Sequence, residues 1–323
     1  MEKILVTGAL GQIGSELLTK LRSIYGMSHV IGSDIRKPTG EQLEGPFEII
    51  DVLDTQQMYN VAKKYNIDTI IHLAALLSAR AEDDPRTAWH INMGGLVNAL
   101  EVAKELNLKF FTPSSIGSFG PSTPKDQTPQ DTFQRPTTMY GVNKVAGELL
   151  CDYYYQRFGV DTRGVRFPGL ISYVTPPGGG TTDYAVEIYY EAIQKQTYSS
   201  FIAKGTYMDM MYMPDALDAI IELMEANPDK LIHRNAFNVT AFSAAPEDFE
   251  VAIQKHIPQF TLKYAVDPIR QKIADSWPNS IDPSAATEQW GFTPTYDIDK
   301  MTTDMLRKLS KRLNNNERTF SDV

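Results

Sequence analysis

The pair Tyr140 and Lys144 has the residue types and the spacing of a catalytic base. If this segment is helical, residues four apart share one face, so the phenol and the ammonium point into the same space. A cation at about 4 Å favours the phenolate by enough to make a tyrosine useful as a base near neutral pH. A hydroxyl from Ser114 or Ser115, after the apolar run Lys109–Phe111, could hold the oxygen that is deprotonated. The same spacing also occurs by chance, so its meaning depends on the surrounding elements.

The composition indicates a globular protein that acts on a small molecule. The 323 residues are 42% hydrophobic and 22% charged, with a formal net charge of −9. This charge argues against nucleic acid and anionic membranes as partners, because both require a basic surface. The single cysteine, Cys151, excludes an intramolecular disulfide and a zinc site built on several thiolates, and we predict no metal site.

The chain also lacks the patterns of a targeted or membrane-spanning protein. No apolar run approaches the ~20 residues needed to span a bilayer. The first predicted strand follows Met1–Lys3 directly, which leaves no room for a signal or transit peptide. We therefore expect a cytoplasmic protein.

A glycine loop follows the first predicted strand. Ile4–Thr7 is a short apolar run, typical of a strand buried on both faces of a parallel sheet. Gly8, Gly11 and Gly14 come next, and the segment Ser15–Arg22 has the apolar face of a helix. Glycines allow backbone to approach a pyrophosphate closely, and the helix N-terminus presents free N–H groups. The arrangement predicts a dinucleotide-binding site, although its spacing is G-x-x-G-x-x-G rather than G-x-G-x-x-G.

Acidic residues follow the next two predicted strands. His29–Ser33 leads to Asp34, which is placed to accept hydrogen bonds from both adenosine ribose hydroxyls and to repel a 2′-phosphate. NAD is therefore favoured over NADP. Arg36 weakens this preference, because it could pair with a 2′-phosphate or be a solvated loop charge. In the predicted strand Phe47–Val52, Asp51 could meet the adenine amino group, or it could be a turn residue or helix cap.

Two further elements carry small or polar residues towards the same region. The fourth predicted strand, Asp68–Ala75, ends in Ala74 and Ala75, against which a cofactor could lie. The predicted long helix Pro85–Glu105 carries Asn92, an amide that could brace a water or backbone group near a lysine.

The alternation of strands and helices predicts an α/β fold with a doubly wound, Rossmann-type parallel sheet. Ligands in such sheets bind at the carboxyl ends of the strands, where the glycine loop and the serine pair both fall. We expect residues 1–170 to form the dinucleotide-binding domain, with contributions from about 205–240. Residues 171–311 would form a smaller α/β substrate-binding lobe, and 312–323 a disordered tail.

Together these residues resemble the extended short-chain dehydrogenase/reductase superfamily. The resemblance implies that Ser115, Tyr140 and Lys144 are catalytic, and that Lys144 favours the phenolate and holds the nicotinamide ribose. It also implies an NAD site over most of the rim, which is the edge of the sheet at the carboxyl ends of its strands. The residues expected to contact NAD are Gly8, Gly11, Gln12, Ile13, Gly14, Asp34, Arg36, Asp51, Val52, Leu73, Ala74, Ala75, Asn92, Tyr140, Lys144 and Pro168.

The second half of the chain suggests a small substrate. Sugar-nucleotide enzymes of the superfamily typically carry an asparagine where this chain has Gly169, after the predicted strand Val160–Phe167. No basic residue lies between Lys204 and Lys230, so a diphosphate would find little neutralising charge. The loop Gly178–Thr182 offers bare N–H groups and hydroxyls that could cradle a carboxylate, or it could be a flexible linker.

These features, with Tyr207–Asp215 and Asp275–Asp282, resemble the short-chain-type L-threonine 3-dehydrogenases. This resemblance implies oxidation of the C3 hydroxyl of L-threonine to 2-amino-3-oxobutyrate. It also implies a homodimer through the helices Pro85–Glu105 and Tyr140–Tyr155. The residues expected at the substrate are Ser78, Ser114, Ser115, Tyr140, Gly180, Thr181, Thr182 and Trp277. Trp277 could close the pocket or fill a core.

Two other functions remain open. A sugar-nucleotide epimerase or dehydratase of the same superfamily would keep NAD bound and form no net NADH. A non-catalytic NAD-sensing protein would have no need for Ser115, Tyr140 and Lys144 together. Measuring NADH formation with L-threonine and with sugar nucleotides separates the three.

Overall fold

The computed structural model of the protein describes residues 1–38, 44–177 and 180–321. The described strands are β1 Ile4–Thr7, β2 Val30–Asp34, β3 Phe47–Ile49, β4 Thr69–His72, β5 Lys109–Phe111, β6 Ser114–Ser115, β7 Thr162–Arg163, β8 Val165–Phe167, β9 Gly169–Ile171, β10 Thr197–Ser200, β11 Met208–Tyr212, β12 Phe237–Asn238, β13 Phe242–Ala244 and β14 Thr261–Tyr264. The described helices are α1 Gln12–Tyr25, α2 Thr55–Tyr65, α3 Ser78–Asp83, α4 Pro85–Trp89, α5 Gly95–Leu106, α6 Met139–Phe158, α7 Tyr184–Lys195, α8 Met213–Glu225, α9 Pro246–Gln254, α10 Pro268–Ala274, α11 Ser284–Trp290 and α12 Ile298–Ser321.

A parallel sheet forms the centre of the described structure, with six strands in the order β3-β2-β1-β4-β5-β7. Every residue of β1, β2 and β4 is buried, because helices cover both faces of the sheet. Helices α2, α5 and α6 pack on one face, and α1 and α8 on the other. The direction of winding changes between β1 and β4, which is where such sheets bind ligands. The predicted Rossmann-type, doubly wound fold is confirmed.

Strands β6 and β8 extend this arrangement towards the rim. They follow β5 and β7 after short breaks and pair in parallel, with Ser115 opposite Phe167. Strand β12 completes a separate parallel sheet in the order β12-β8-β6. The break before β8 is at Gly164, where a Cβ would lie 2.6 Å from the carbonyl oxygen of Thr112. A glycine is needed there because the neighbouring backbone passes so close.

A second hydrophobic core lies in the smaller lobe, between α7, α9 and α12. Strand β11 pairs in parallel with β9 and antiparallel with β13. The side chains of Met208, Met210 and Tyr212 lie in this second core, whereas Met211 lies in the core of the large sheet. This alternation is the period-two pattern of a strand. Strand β11 therefore contributes side chains to both cores.

Two helical segments differ from the prediction. The helix expected over Pro85–Glu105 contains a π-helical turn at His90–Gly94, between α4 and α5. A π-turn redirects side chains locally, and it carries Asn92. At the other end, α12 continues to Ser321, whereas the sequence predicts a disordered tail from residue 312. Among the described residues, every helix is too short or too polar to cross a membrane.

Candidate active site

The glycine loop lies directly against the end of β4. Gly8 has a positive φ of 69°, and a Cβ there would lie 2.7 Å from the backbone nitrogen of Ala74. A Cβ on Gly14 would lie 2.2 Å from the carbonyl oxygen of Gly8, so helix α1 can start this close only with glycine. Gly11 forms the N-cap of α1 and brings no side chain to its first turn, which begins with Gln12. The N–H groups of that turn are thus left for an anion.

Asp34 lies at the end of β2 with its carboxylate almost fully buried. The carboxylate accepts hydrogen bonds from the Leu10 N–H at 3.1 Å and from the Nε of Arg36 at 3.0 Å. Burial would raise the pKa of Asp34, but the hydrogen bonds from Arg36 and Leu10 outweigh burial and lower it. Asp34 is therefore a charged acceptor at neutral pH, and the guanidinium of Arg36 is held by it.

Other predicted cofactor residues have structural contacts of their own. The Asp51 carboxylate accepts a hydrogen bond from the Leu53 N–H at 2.9 Å, as in a turn, although its side chain is exposed. Val52 is buried against α5, where a Cβ on Gly95 would approach it to 2.8 Å. Pro168 is buried between β8 and β9.

Asn92 braces backbone and a neighbouring amide. Its Oδ1 accepts from the Leu76 N–H at 2.7 Å, and its Nδ2 donates to the Leu76 carbonyl and to the Asn143 Oδ1 at 3.0 Å. Asn143 precedes Lys144 on α6. Asn92 therefore hydrogen-bonds the backbone of Leu76 and the neighbour of Lys144 on α6. Leu73 and Ala74 are partly buried and Ala75 is exposed, at the end of β4.

The three predicted catalytic residues lie within one compact region. The Lys144 Nζ is 5.3 Å from the centre of the Tyr140 ring and donates to the Pro113 carbonyl at 2.6 Å. The Ser115 Oγ accepts a hydrogen bond from the Gly117 N–H at 3.1 Å. A Cβ on Gly117 would lie 3.3 Å from the Tyr140 ring and 3.5 Å from the Ser115 Oγ. Gly117 thus connects the serine turn to the tyrosine, and all three side chains are only half-buried.

A buried ion pair lies behind this region. Glu148, four residues after Lys144 on α6, accepts from Arg166 through both oxygens, at 3.0 Å and 2.8 Å. The Ser114 hydroxyl donates to the same carboxylate. Gln134 donates to its second oxygen at 2.7 Å. Ser114, predicted at the substrate, therefore directs its hydrogen to Glu148.

A cavity of about 50 Å³ lies next to Lys144 and reaches His72. His72 is buried at the end of β4, and its Nδ1 is 2.9 Å from the Thr7 hydroxyl. Burial, together with the charge of Lys144, lowers the pKa of His72 to about 3, so the ring is neutral. Among the described residues, no group of three His, Cys, Asp or Glu side chains is arranged to hold a metal.

The predicted substrate loop packs against the start of β9. A Cβ on Gly169 would lie 2.9 Å from the Thr182 methyl and 2.5 Å from the Met210 sulfur. Thr181 is buried, and the Gly180 N–H donates to the Asp183 carboxylate at 2.7 Å. Residues 178 and 179 of the predicted cradle lie outside the described residues.

The two remaining predicted substrate residues differ in setting. Ser78 is partly exposed at the start of α3, shortly after the exposed Ala75. Trp277 is buried in the second core, with 8% of its surface exposed. This setting favours the core-filling alternative for Trp277, and its contact with the substrate stays a prediction.

A protein-family model described as the NAD dependent epimerase/dehydratase family matches residues 4–240. The chain belongs to this family. This confirms the resemblance to the extended short-chain dehydrogenase/reductase superfamily. The cofactor is NAD, and the protein is an NAD-dependent oxidoreductase.

Similar proteins with known structures include L-threonine dehydrogenases. The enzyme from Clostridium difficile is 64% identical, with a TM-score of 0.96 over 97% of this chain and 98% of that one. A GalE-like L-threonine dehydrogenase from Cupriavidus necator, in its holo form, is 46% identical, with a TM-score of 0.92 over 95% and 99%. An uncharacterized epimerase/dehydratase of Staphylococcus haemolyticus is 60% identical over 98% of this chain and 100% of its own.

The rim has the donors and acceptors that NAD requires. The uncapped first turn of α1 suits the pyrophosphate, and the Asp34 carboxylate suits the adenosine ribose. Lys144 is half-buried beside Tyr140, and its predicted contact with the nicotinamide ribose stays a prediction. Arg36 is paired with Asp34, which agrees with NAD as the cofactor of this family member.

Three residues that shape the site had no role that was predicted from the sequence: Gly117, Gly141 and Glu148. Gly117 and Gly141 set the packing around Tyr140, since a Cβ on Gly141 would lie 2.3 Å from the Gly117 carbonyl oxygen. The two glycines were only weakly indicated by the sequence, because Gly117 lies two residues after Ser115 and Gly141 directly follows Tyr140. Glu148 had a clearer signal, because it lies four residues after Lys144 and so on the same side of the helix.

Proposed function

We propose that the protein oxidises the C3 hydroxyl of L-threonine to 2-amino-3-oxobutyrate with NAD. The observation that carries the dehydrogenase chemistry is the packing of the Tyr140 ring between Gly117, the Ser115 turn and the Lys144 ammonium. The choice of substrate is supported by the L-threonine dehydrogenases that share up to 64% of its sequence.

Tyr140 takes the proton from the C3 hydroxyl. The Lys144 ammonium lies 5.3 Å from the centre of the Tyr140 ring, and its hydrogen bond to the Pro113 carbonyl fixes its position. A cation at this place stabilises negative charge that develops during proton transfer. When bound, NAD supplies the hydride acceptor. Loss of one proton to Tyr140 and one hydride from C3 leaves a ketone.

Ser115 holds the oxygen that loses its proton. Its Oγ accepts from the Gly117 N–H, so its own hydrogen remains available to the substrate oxygen. The same hydrogen bond fixes the direction of the Ser115 side chain beside Gly117, which also packs against the Tyr140 ring. In this role Ser115 orients the alcohol and stabilises the charge that develops on its oxygen.

Glu148 keeps its charge away from this chemistry. It lies one helical turn beyond Lys144, where an unpaired carboxylate would offset the ammonium. Its paired hydrogen bonds with Arg166 neutralise that carboxylate within the core. The positive charge of Lys144 therefore acts on Tyr140.

The segment Gly180–Thr182 is the proposed contact for the substrate carboxylate. Thr182 packs on Gly169, the position at which sugar-nucleotide enzymes typically place an asparagine. The threonine methyl leaves less room in this space for a diphosphate. It also cannot replace the polar contact that an asparagine side chain would make with a diphosphate. Ser78, three residues after the exposed Ala75, is proposed to assist at the other end of the substrate.

An NADH absorbance assay with L-threonine, L-serine and a UDP-sugar tests this proposal. We expect NADH to form with L-threonine and not with the UDP-sugar. Tyr140→Phe should lower kcat by about 10²–10⁴-fold, because it removes the proton acceptor, while the Kd for NADH is nearly kept. Chromatography of the same mixtures detects conversion of the UDP-sugar, which need not form NADH. An active Tyr140→Phe enzyme, or conversion of the UDP-sugar with no NADH from L-threonine, would overturn the assignment.

We also propose a homodimer through α6. Val142, Leu149 and Tyr153 are exposed on one side of this helix, and Trp89 is exposed on α4, which packs beside it. Large apolar side chains at such spacing are typical anchors of an interface. Light scattering after size-exclusion chromatography should give twice the mass of the chain.

A further inference from the structure

A turn of the chain leads from β9 to the predicted substrate loop, and it is held from two sides. The turn comprises Ser172–Thr175. Ser172 is fully buried, and its Oγ accepts hydrogen bonds from the N–H groups of Val174 at 2.9 Å and Thr175 at 3.3 Å. These bonds use both acceptor positions of the hydroxyl, so only its hydrogen remains to be donated.

That hydrogen goes to the helix that carries the glycine loop. The Ser172 Oγ donates to the Glu16 Oε1 at 2.5 Å, and Glu16 lies on α1, five residues after Gly11. Burial raises the pKa of Glu16, and the Ser172 hydrogen bond with the charges of Lys308 and Arg312 opposes this. One side of the turn is therefore joined to α1, the helix that follows the glycine loop.

The second side of the turn is joined to α12. Arg312 Nη1 donates to the carbonyl oxygens of Tyr173 at 2.7 Å and Val174 at 2.6 Å. Lys308, one helical turn earlier, has its Nζ 4.4 Å from the centre of the Tyr173 ring and pairs with Asp304 at 2.7 Å. Both cations come from the last helix, and Arg312 is the first residue of the predicted tail.

We propose that Glu16 and Arg312 are positioning residues for the described part of the predicted substrate loop, Gly180–Thr182. They hold Ser172–Thr175 between α1 and α12, and this fixes where the chain leaves β9 on its way to Thr182. Thr182 itself returns to pack on Gly169 at the start of β9, so both ends of the loop are anchored on one strand. The inference rests on the proposed function, because it assigns the substrate contact to Gly180–Thr182.

The position of these contacts separates them from the chemistry. Glu16 and Arg312 reach the loop through Ser172 and through backbone carbonyls, respectively, and neither has a described contact with Tyr140, Lys144 or Ser115. Losing one of them should therefore weaken substrate binding more than the hydride-transfer step. Arg312 is also exposed, so its replacement leaves the core intact.

The first test compares Arg312→Met with Lys311→Met, a control with the same change of charge at an exposed neighbouring residue of α12. Arg312→Met should raise the KM for L-threonine about tenfold, as expected for the loss of hydrogen bonds from a charged donor. The kcat and the Kd for NADH should change less than about twofold. Glu16→Leu should act like Arg312→Met, and Arg312→Lys should recover part of the loss.

The second test needs no substrate and measures hydrogen exchange at the amides of Val174 and Thr175. Exchange should be faster in Arg312→Met and Glu16→Leu than in wild type or Lys311→Met, with no difference in β1 or β4. If wild type does not oxidise L-threonine, the proposed function fails, and this measurement still decides whether the turn is held. Unchanged exchange and an unchanged KM in both variants would overturn the inference.

Discussion

Replacing Gly117 by alanine would disturb the site through a single methyl group. A Cβ at this position lies 3.3 Å from two carbons of the Tyr140 ring, which is closer than ordinary van der Waals contact. Gly117 has no positive φ, so alanine brings no backbone strain. The ring must then move by a few tenths of an ångström. The experiment therefore tests whether the exact placement of Tyr140 limits the rate.

The size of the effect follows from the sensitivity of proton transfer to geometry. A misplacement of about 1 Å costs on the order of 10²-fold in rate, so a few tenths should lower kcat roughly fourfold to tenfold. This corresponds to about 1 kcal/mol in the activation barrier. The KM for NAD should be nearly unchanged, because the glycine loop and Asp34 are distant in the chain and make no described contact with Gly117.

Two glycines of helix α6, Gly141 and Gly147, provide the comparison with Gly117. Gly147→Ala places its Cβ 3.1 Å from a methyl of Leu96, a side chain that can move, and should keep wild-type activity. Gly141→Ala would place a Cβ 2.3 Å from the Gly117 carbonyl oxygen and should lose more activity than Gly117→Ala. Initial rates of NADH formation and thermal denaturation would be measured for all three. A Gly117→Ala enzyme as fast as Gly147→Ala would refute the reasoning.

Three further changes test other parts of the account. Glu148→Gln leaves the Arg166 guanidinium buried without its counter-charge and should cost about 3 kcal/mol of unfolding free energy in urea; equal stability would contradict the ion pair. Burial raises the pKa of Asp209 to about 7, so the folded state holds its proton more tightly than the unfolded state. Stability should therefore fall as pH rises from about 4 to about 7, by at most ~1.4 kcal/mol per unit, and Asp209→Asn should reduce that slope in urea unfolding at several pH values. Asp34→Ser should raise the KM for NAD about tenfold and permit turnover with NADP, because Arg36 is released; adding Arg36→Ala should abolish the NADP activity.

The sequence allowed the large sheet and its rim to be predicted because local patterns determine them. The buried run Ile4–Thr7, the three glycines and Asp34 follow one another in a short stretch, and each needs only neighbouring residues to be interpreted. Tyr140 and Lys144 were predictable for the same reason, since both lie on one helix. Their meaning came from the elements around them rather than from the pair itself.

The contacts that hold the site were not predictable, because they join residues far apart in the chain. The hydrogen bond from Ser172 to Glu16 spans 156 positions, and those from Arg312 to Tyr173 and Val174 span about as many. No periodicity links such residues. Asn92 was predictable only in part. Its place on a helix could be predicted from the sequence, but the π-helical turn that carries it could not.

The most direct measurement of the central claim is the fate of the hydrogen on C3 of L-threonine. The enzyme would be incubated with NAD and L-threonine deuterated at C3, and the reduced cofactor analysed by mass spectrometry and NMR. The account predicts one deuterium on the nicotinamide ring for each 2-amino-3-oxobutyrate formed. Reduced cofactor without deuterium, or no reduction with L-threonine under conditions that turn over a UDP-sugar, would contradict it.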